Sequence, residues 1–578
     1  MDPIRFLDAR DEAAVDIVIV GAGVSGLYCA QRLIEQDPAR RITIVERLNR
    51  VGGRLDTDLI DIAPGDVVRE EEGGMRFNYD MTELMQLTNA LGLCGGIVPF
   101  PMGSNVTGFG NTNRFWLRGR RFTAVEAAEG GNAIWGEIYG LNADEQGLSP
   151  AEIVMKAFHA VLHQNQRTPP ASTGPQFWAD FREHVCWNDF PINQWQMWGL
   201  LRDMGRSQEC IQMLSETIGF AGPFKAPINA GDAFQILADF PSNPTYFTFS
   251  GGLATLPKAL AADLPSQVTV LLSTNVDAIA GTAGDFTLTL TEAPGDLNSN
   301  PYLPGGKNKI LTASTLVLAV ATNGMERLFI TSSALNAQPD AERLWDSIHA
   351  AQGMPLMKIN LYFEHPWWED GAITPPVQFG PNFTDLPVNA VYPFYSSVPG
   401  TGDEIPDGAA ALTIYCDFEN TSFWAGLQNV GALFDSPLQQ VQNAAVPQVL
   451  FAATRQVVDE AKNQLGLLFG VDAVPEPILT SYRLWNGEND FEYAYHQWGV
   501  GVVDSQVRSY LAAPIDGVHF CNEAISDMHG WVNGSIRSCN LALASFGIEP
   551  MAGPTCPDPE SLPPTAALSR PSISGVWG

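Results

Sequence analysis

Gly21-Ala22-Gly23-Val24-Ser25-Gly26 spaces three glycines as a pyrophosphate-binding turn requires. The apolar run Asp16 to Val20 precedes it and reads as a buried parallel strand. Leu27, Ala30, Leu33 and Ile34 follow at helical spacing, and a second strand, Ile42 to Val45, ends at Glu46. Within a strand-turn-helix-strand unit each residue has a physical task. Gly21 permits the tight turn, Gly23 admits a phosphate close to the backbone, and Gly26 lets helix and strand pack. Val24 and Ser25 open the helix, where free N–H groups and the dipole favour negative charge. Glu46, at the usual distance of about 20 residues, accepts hydrogen bonds from a ribose hydroxyl. A merely tight turn needs no such acid. The unit therefore binds a dinucleotide, although the glycines do not say which.

Other residues offer chemistry that depends on context. Arg76, in Glu72-Gly73-Gly74-Met75-Arg76-Phe77, carries a fork that can hold a carboxylate by two parallel hydrogen bonds, or else form a salt bridge with one of Glu70 to Glu72. From Met354 to Phe363 the sequence alternates as a strand; Met357, Ile359, Leu361 and Phe363 face a core, so Lys358 points to water or to a cavity. Tyr415 ends the apolar run from Ala411 and is either core or a cavity wall. Trp531, one residue after Gly530, has the same two readings, and Arg54 alone is a loop cation.

Three blocks resolve these alternatives by resemblance. Glu46-Arg47, with Gly52-Gly53-Arg54, resembles the E-R-x-x-x-x-G-G-R segment of flavoproteins of the amine-oxidase superfamily. Glu72 to Phe77 looks like the matching segment of flavin-dependent L-amino acid oxidases and of tryptophan 2-monooxygenase. Phe520-Cys521-Asn522-Glu523-Ala524, then Gly530-Trp531-Val532, resembles the pair of segments that closes over the flavin, with Cys521 in place of the usual alanine. The resemblance implies FAD, held without a covalent bond because no cysteine for flavin attachment precedes the Glu523 block. It extends the cofactor contacts to Arg47, Gly53, Arg54, Gly74, Met75, Arg76, Val276, Glu523, Gly530, Trp531 and Val532. It also assigns Arg76 to the substrate carboxylate, Tyr415 to a second carboxylate contact, Gly530 and Trp531 to the facing wall, and Lys358 to a water beside flavin N5. The implied reaction is oxidative deamination of an L-amino acid. Hydride passes from Cα to N5, and O2 reoxidises the flavin to give H2O2. The imino acid hydrolyses to a 2-oxo acid and ammonia. An amide-forming 2-monooxygenase, a polyamine or other amine oxidase, and an inactive flavin-binding scaffold are the competing readings. Relatives of this kind commonly form homodimers or higher homo-oligomers.

The elements that must position these residues suggest an α/β fold class, in the wider sense an α+β multi-domain chain. A discontinuous Rossmann-type FAD-binding domain is expected over 14–75, 250–345 and 505–548, and a mixed-sheet substrate-binding domain over 76–148, 241–249 and 346–504. A helical insertion covers 149–240, a substrate-domain hairpin lies at 111–119, and a flexible tail follows at 551–578. The net charge is −32, from 64 acidic against 32 basic residues. Such a field repels phosphate backbones and anionic surfaces, which argues against nucleic-acid and membrane partners. Eight cysteines without CxxC pairs or a ligand-like cluster read as free thiols with no metal site. With no signal peptide evident, a cytoplasmic location is expected. The side chain accepted by the pocket is not readable from the sequence.

Overall fold

The computed structural model describes residues 4–6, 14–63, 65–100, 102, 112–170, 173–239, 246–292, 309–371, 373–377, 379–397, 408–440, 452–487 and 492–557. Their framework is two sheets. The first has eight strands, with a parallel core in the order Val268–Leu272, Ile42–Val45, Ala14–Val20 and Lys309–Leu318, and Val518–Phe520 beside the last. Ile17 and Ile19 enter the cluster that contains the helix Val24–Gln36, whereas Val18 and Val20 enter the cluster on the opposite face with Leu316 and Met325. A strand buried on both faces needs this unbroken apolar run. The antiparallel pair Thr274–Thr282 and Asp285–Glu292 extends the sheet and places Val276. An outer parallel strand, Ile4–Phe6, carries no sequence signal of its own.

The glycine turn has the geometry its spacing demands. Gly21 adopts φ +103°, and a Cβ on Gly26 would lie 2.0 Å from the Gly21 carbonyl oxygen.

The second sheet has nine strands, with Leu356–Phe363 between Leu479–Trp485 and Ala410–Asp417. The hairpin Thr57–Ala63 and Asp66–Glu71 joins this sheet through the pairing of Ser396 with Val68. It was expected in the FAD-binding domain because it lies within 14–75; its backbone ladder assigns it to the second sheet instead. Pro355, which has no N–H to donate, divides the strand expected from Met354 to Phe363. Ala351–Met354 pairs separately with Tyr495–Trp498. Met357, Ile359, Leu361 and Phe363 pack with the helix Arg455–Phe469. Lys358, Asn360 and Tyr362 take the other face, and that face is buried too.

The segment expected to be helical is so, from Pro150–Gln164 to Ala230–Ala238. Buried Arg182 fastens it to Asp504 through Nε and Nη2, each at 2.9 Å. The hairpin expected at 111–119 is found over Arg114–Leu117 and Arg120–Thr123, with Asn111 outside the described residues.

The reading of all eight cysteines as free thiols fails. Cys94 and Cys556 form a disulfide across 462 residues, so the cysteines are not all free thiols. No local spacing could signal that pair. The same bond, with a hydrogen bond from Cys556 N to Met85 O at 3.3 Å, anchors the start of the segment expected to be a flexible tail. Residues 558–578 of that tail lie outside the described residues. Among the described residues no helix is long and apolar enough to cross a membrane.

Candidate active site

A cavity of about 780 Å³ is lined from both sheets. Every residue selected from the sequence lines it except Gly26, which lies beneath the turn and keeps helix and strand in contact.

At the nucleotide end, Gly21, Gly23, Val24 and Ser25 present the start of the helix Val24–Gln36 to the cavity. A Cβ on Gly23 would meet nothing within 4 Å, so the glycine leaves open space where a phosphate would approach. Glu46 accepts from Ala22 N at 2.7 Å and from Leu48 N at 2.8 Å. These bonds fix the carboxylate and leave lone pairs for a ribose hydroxyl. Burial pushes the Glu46 carboxyl above its usual range, and the two amides oppose the shift.

Glu523 draws distant parts of the chain together. Its Oε1 accepts from Gly530 N at 2.8 Å and His496 N at 3.0 Å; its Oε2 meets Arg54 Nη1 at 2.6 Å and His496 Nδ1 at 2.9 Å. Burial opposes the charge, but Arg54 and His496 overcome it and hold the carboxyl well below the ordinary range. Arg54 also donates to Ala494 O at 3.1 Å. The sequence reading gave Arg54 a cofactor contact and did not reveal this protein partner. Gly530, at φ +78°, turns the chain into Trp531 and the helix Val532–Ala544.

The substrate end is aromatic around one guanidinium. Arg76 lies 4.8 Å from the Tyr246 ring, 5.5 Å from Phe100 and 5.9 Å from Tyr392. The acidic triplet is engaged elsewhere: Glu70 with Thr413, Glu71 with Thr57 and Leu253 N, Glu72 with Asn360 and Ser481. Arg76 therefore faces rings and the cavity, where a carboxylate could be gripped by its fork. Trp531 stacks on Tyr246 at 6.1 Å and donates from Nε1 to Asp239 at 2.8 Å. Tyr415 stands edge-on to Phe220 at 5.6 Å, and Phe220 lies 6.0 Å from Tyr495. Sequence reasoning missed Phe220, Tyr495, Tyr246 and Tyr392, because single aromatics in unconnected segments carry no motif.

Lys358 lies 5.1 Å from the Tyr415 ring centroid and donates through Nζ to the carbonyls of Gly73, at 2.7 Å, and Glu71. Burial lowers its ammonium to about 8 against the pull of Glu71, Glu72 and Glu70.

The sequence showed no ligand-like cysteine cluster, yet folding gathers Cys29, Cys521 and Cys539 within 4.8 Å of one another. Cys29 and Cys521 share a 3.5 Å contact, and Cys539 donates to Ser25 O at 3.3 Å. None of the three lines the cavity.

Family models match residues 19–89 as an NAD(P)-binding Rossmann-like domain and residues 177–432 as a flavin containing amine oxidoreductase. An L-amino-acid oxidase of Mus musculus is 24% identical over 90% of this chain and 69% of its own length. Aplysianin-A of Aplysia kurodai is 33% identical over 93% of this chain and 91% of its own. Among solved structures, a redesigned putrescine oxidase superposes with a TM-score of 0.60 at 16% identity, covering 92% of this chain and 99% of that one, which shows the shared fold. On the near end-to-end match at 33% identity, joined to the family model and the two-sheet cavity, the chain belongs to the flavin-containing amine oxidoreductases.

Proposed function

We propose that the chain is an FAD-dependent L-amino acid oxidase that converts an L-amino acid, O2 and water into a 2-oxo acid, ammonia and H2O2. The observation that carries this reading is Arg76, a buried cation set among Tyr246, Phe100 and Tyr392 on the cavity wall. A neutral-tailed amine has nothing to offer such a fork, whereas an α-carboxylate matches it. Relatives named L-amino-acid oxidase, from mouse and from Hebeloma cylindrosporum, support the same substrate class.

The cavity fits a dinucleotide flavin: open space at Gly23, the helix start at Val24, the fixed carboxylate of Glu46, and Val276 beside them. Among the described residues no cysteine or histidine lines the cavity, which supports non-covalent binding. When bound, the flavin supplies the two-electron acceptor that O2 regenerates.

The remaining tasks belong to side chains. Arg76 grips the carboxylate and fixes one end of the substrate; Tyr415 and Trp531 limit its rotation, so that Cα presents one face. The aromatic lining excludes water and strengthens the grip. Lys358 holds a proton at Nζ within the same cavity. A panel of L-amino acids added anaerobically tests the reading. Bleaching of the flavin band, followed in air by peroxide, ammonia and 2-oxo acid, supports it; amide and CO2 would make the enzyme a 2-monooxygenase, and no bleaching would reject both.

A further inference from the structure

Behind Lys358 lies a polar layer sealed from solvent. Lys358, Asn360 and Tyr362 share one face of their strand, flanked in register by Tyr415 and Thr413 on one side and Arg483 and Ser481 on the other. The hairpin Thr57–Glu71 supplies Asp58 and Glu70 to this layer, and Glu72 follows it. Asp58 is 3% exposed, and Glu70, Glu72, Asn360 and Tyr362 are 0% exposed.

Asn360 Nδ2 donates to Glu72 at 3.0 Å, Ser481 Oγ to Glu72 at 2.7 Å, and Thr413 Oγ1 to Glu70 at 2.9 Å. Among the described residues, no hydrogen bond reaches Asp58 Oδ1 or Oδ2, Glu70 Oε1, Glu72 Oε2 or Asn360 Oδ1. Buried acceptors left in this way are costly, and a proton on a carboxyl supplies the missing donor. The charges point the same way. Asp56 is held by Arg50 at 3.0 Å and also lies 3.6 Å from Arg483, and Glu71 is engaged by Thr57 and Leu253 N. Three carboxyls, Asp58, Glu70 and Glu72, then face Lys358 and Arg483, the latter 3.9 Å from Asp58 and 3.8 Å from Glu72. Arg76 adds charge from the cavity side, and Tyr362 and Tyr415 are the phenols that face the layer.

We propose that this layer keeps at least one carboxyl, that of Glu70 or Asp58, protonated at neutral pH. Burial raises Glu70 to about 8 and Asp58 well above its usual range, and like-charged neighbours add to both shifts. Use of this proton in turnover rests on the oxidase reading. There, conversion of amino acid to imino acid releases two protons with its two electrons, and reduction of O2 to H2O2 takes up two. A proton store bridges the two halves.

Infrared titration of the oxidised holoenzyme, without substrate, tests the store. A protonated-carboxyl C=O band is expected at pH 7, fading as pH passes about 8 and diminished in Glu70→Gln or Asp58→Asn. Absence of the band from the wild type at pH 7, or its persistence unchanged in both variants, overturns the proposal. Lys358→Met should move the Glu70 midpoint up by roughly one pH unit, the signature of a lost cationic neighbour; an unmoved midpoint overturns Glu70 as the carboxyl that titrates in this layer. Thr413→Val, which removes a donor to the Glu70 carboxylate, should move it the same way even if Glu70→Gln fails to fold. In turnover, Glu70→Gln should lower kcat by about tenfold and leave KM unchanged, and an unchanged kcat overturns the catalytic use. If the infrared shifts occur while no L-amino acid bleaches the flavin, the store stands and the oxidase reading falls.

Discussion

Arg54 and Glu523, 469 residues apart in sequence, meet at 2.6 Å beside the cavity and tie the loop after the second Rossmann strand to the turn that carries Gly530 and Trp531. Arg54→Ala would leave the Glu523 carboxylate buried with one cation fewer. A loss of about 3 kcal/mol is expected, with weakened flavin retention, measured by denaturant melts and by the apoprotein fraction after dialysis. The pH sign follows from a depressed folded-state carboxyl. Glu523 contributes stability that is fully present above its ordinary value of 4.5 and is lost only as pH falls through its much lower folded value. The acid limb of a melting curve should begin at higher pH in the variant; coincident limbs would show that the pair does not hold the site.

Arg76→Ala should keep flavin, because the fixed contacts at the nucleotide end remain, while KM for L-amino acids rises roughly 100-fold or more. Arg76→Lys should recover only part of the loss, since an ammonium on a flexible stem cannot reproduce the planar fork. A simple amine tests the cause, because its turnover should be indifferent to either change. Equal losses for amine and amino acid would place Arg76 in folding rather than recognition.

Lys358→Met should slow reoxidation by O2 more than it slows reduction by substrate, and stopped-flow traces separate the two. The wild-type oxidative rate should also fall as pH rises past about 8, where buried Lys358 gives up its proton, and the variant should lose that limb. Stability runs in the opposite direction. A lysine lowered from 10.5 to about 8 on folding favours the folded state above the unfolded value, and this advantage disappears as pH falls through about 8. A variant that slows both half-reactions equally, with its pH limb intact, would remove Lys358 from the oxygen step.

The glycine turn, Glu46 and the alternation around Lys358 were legible because each is local: one turn, one strand, one period. The helical stretch was legible for the same reason. The hairpin Thr57–Glu71 lies within the stretch 14–75 read as FAD-binding, yet it pairs into the second sheet, because strand pairing is decided by partners hundreds of residues away, here Ser396 against Val68. Long-range closure also hid the Cys94–Cys556 bond and the rings around Arg76, which arrive from Phe100, Tyr246 and Tyr392. Burial of the polar face behind Lys358 was invisible too. Alternation tells which residues share a face, and only the covering hairpin determines that the face is dry.

Trp531 offers a separation of ring from hydrogen bond. Its indole stacks on Tyr246, a ring 4.8 Å from Arg76, and its Nε1 donates to Asp239 at 2.8 Å. Trp531→Phe keeps an aromatic plane and deletes the donor. Burial already pushes Asp239 up to about 7, with Asp232 raising it further, while Trp531 and Arg537 pull it down. Loss of the indole donor should move that value higher. A carboxyl raised on folding contributes stability that is present below its unfolded value of 3.8 and is lost as pH rises through the folded one, so the neutral-pH limb of stability should shift upward in the variant. At neutral pH the melt should change by no more than about 1–2 kcal/mol, because Asp239 can take up a proton in place of the lost bond. If Trp531 also orients substrate through its plane, kcat/KM should fall only severalfold in Trp531→Phe but far more in Trp531→Ala. Equal losses in the two variants would mean that the Asp239 bond, and not the aromatic wall, is what the site needs from Trp531.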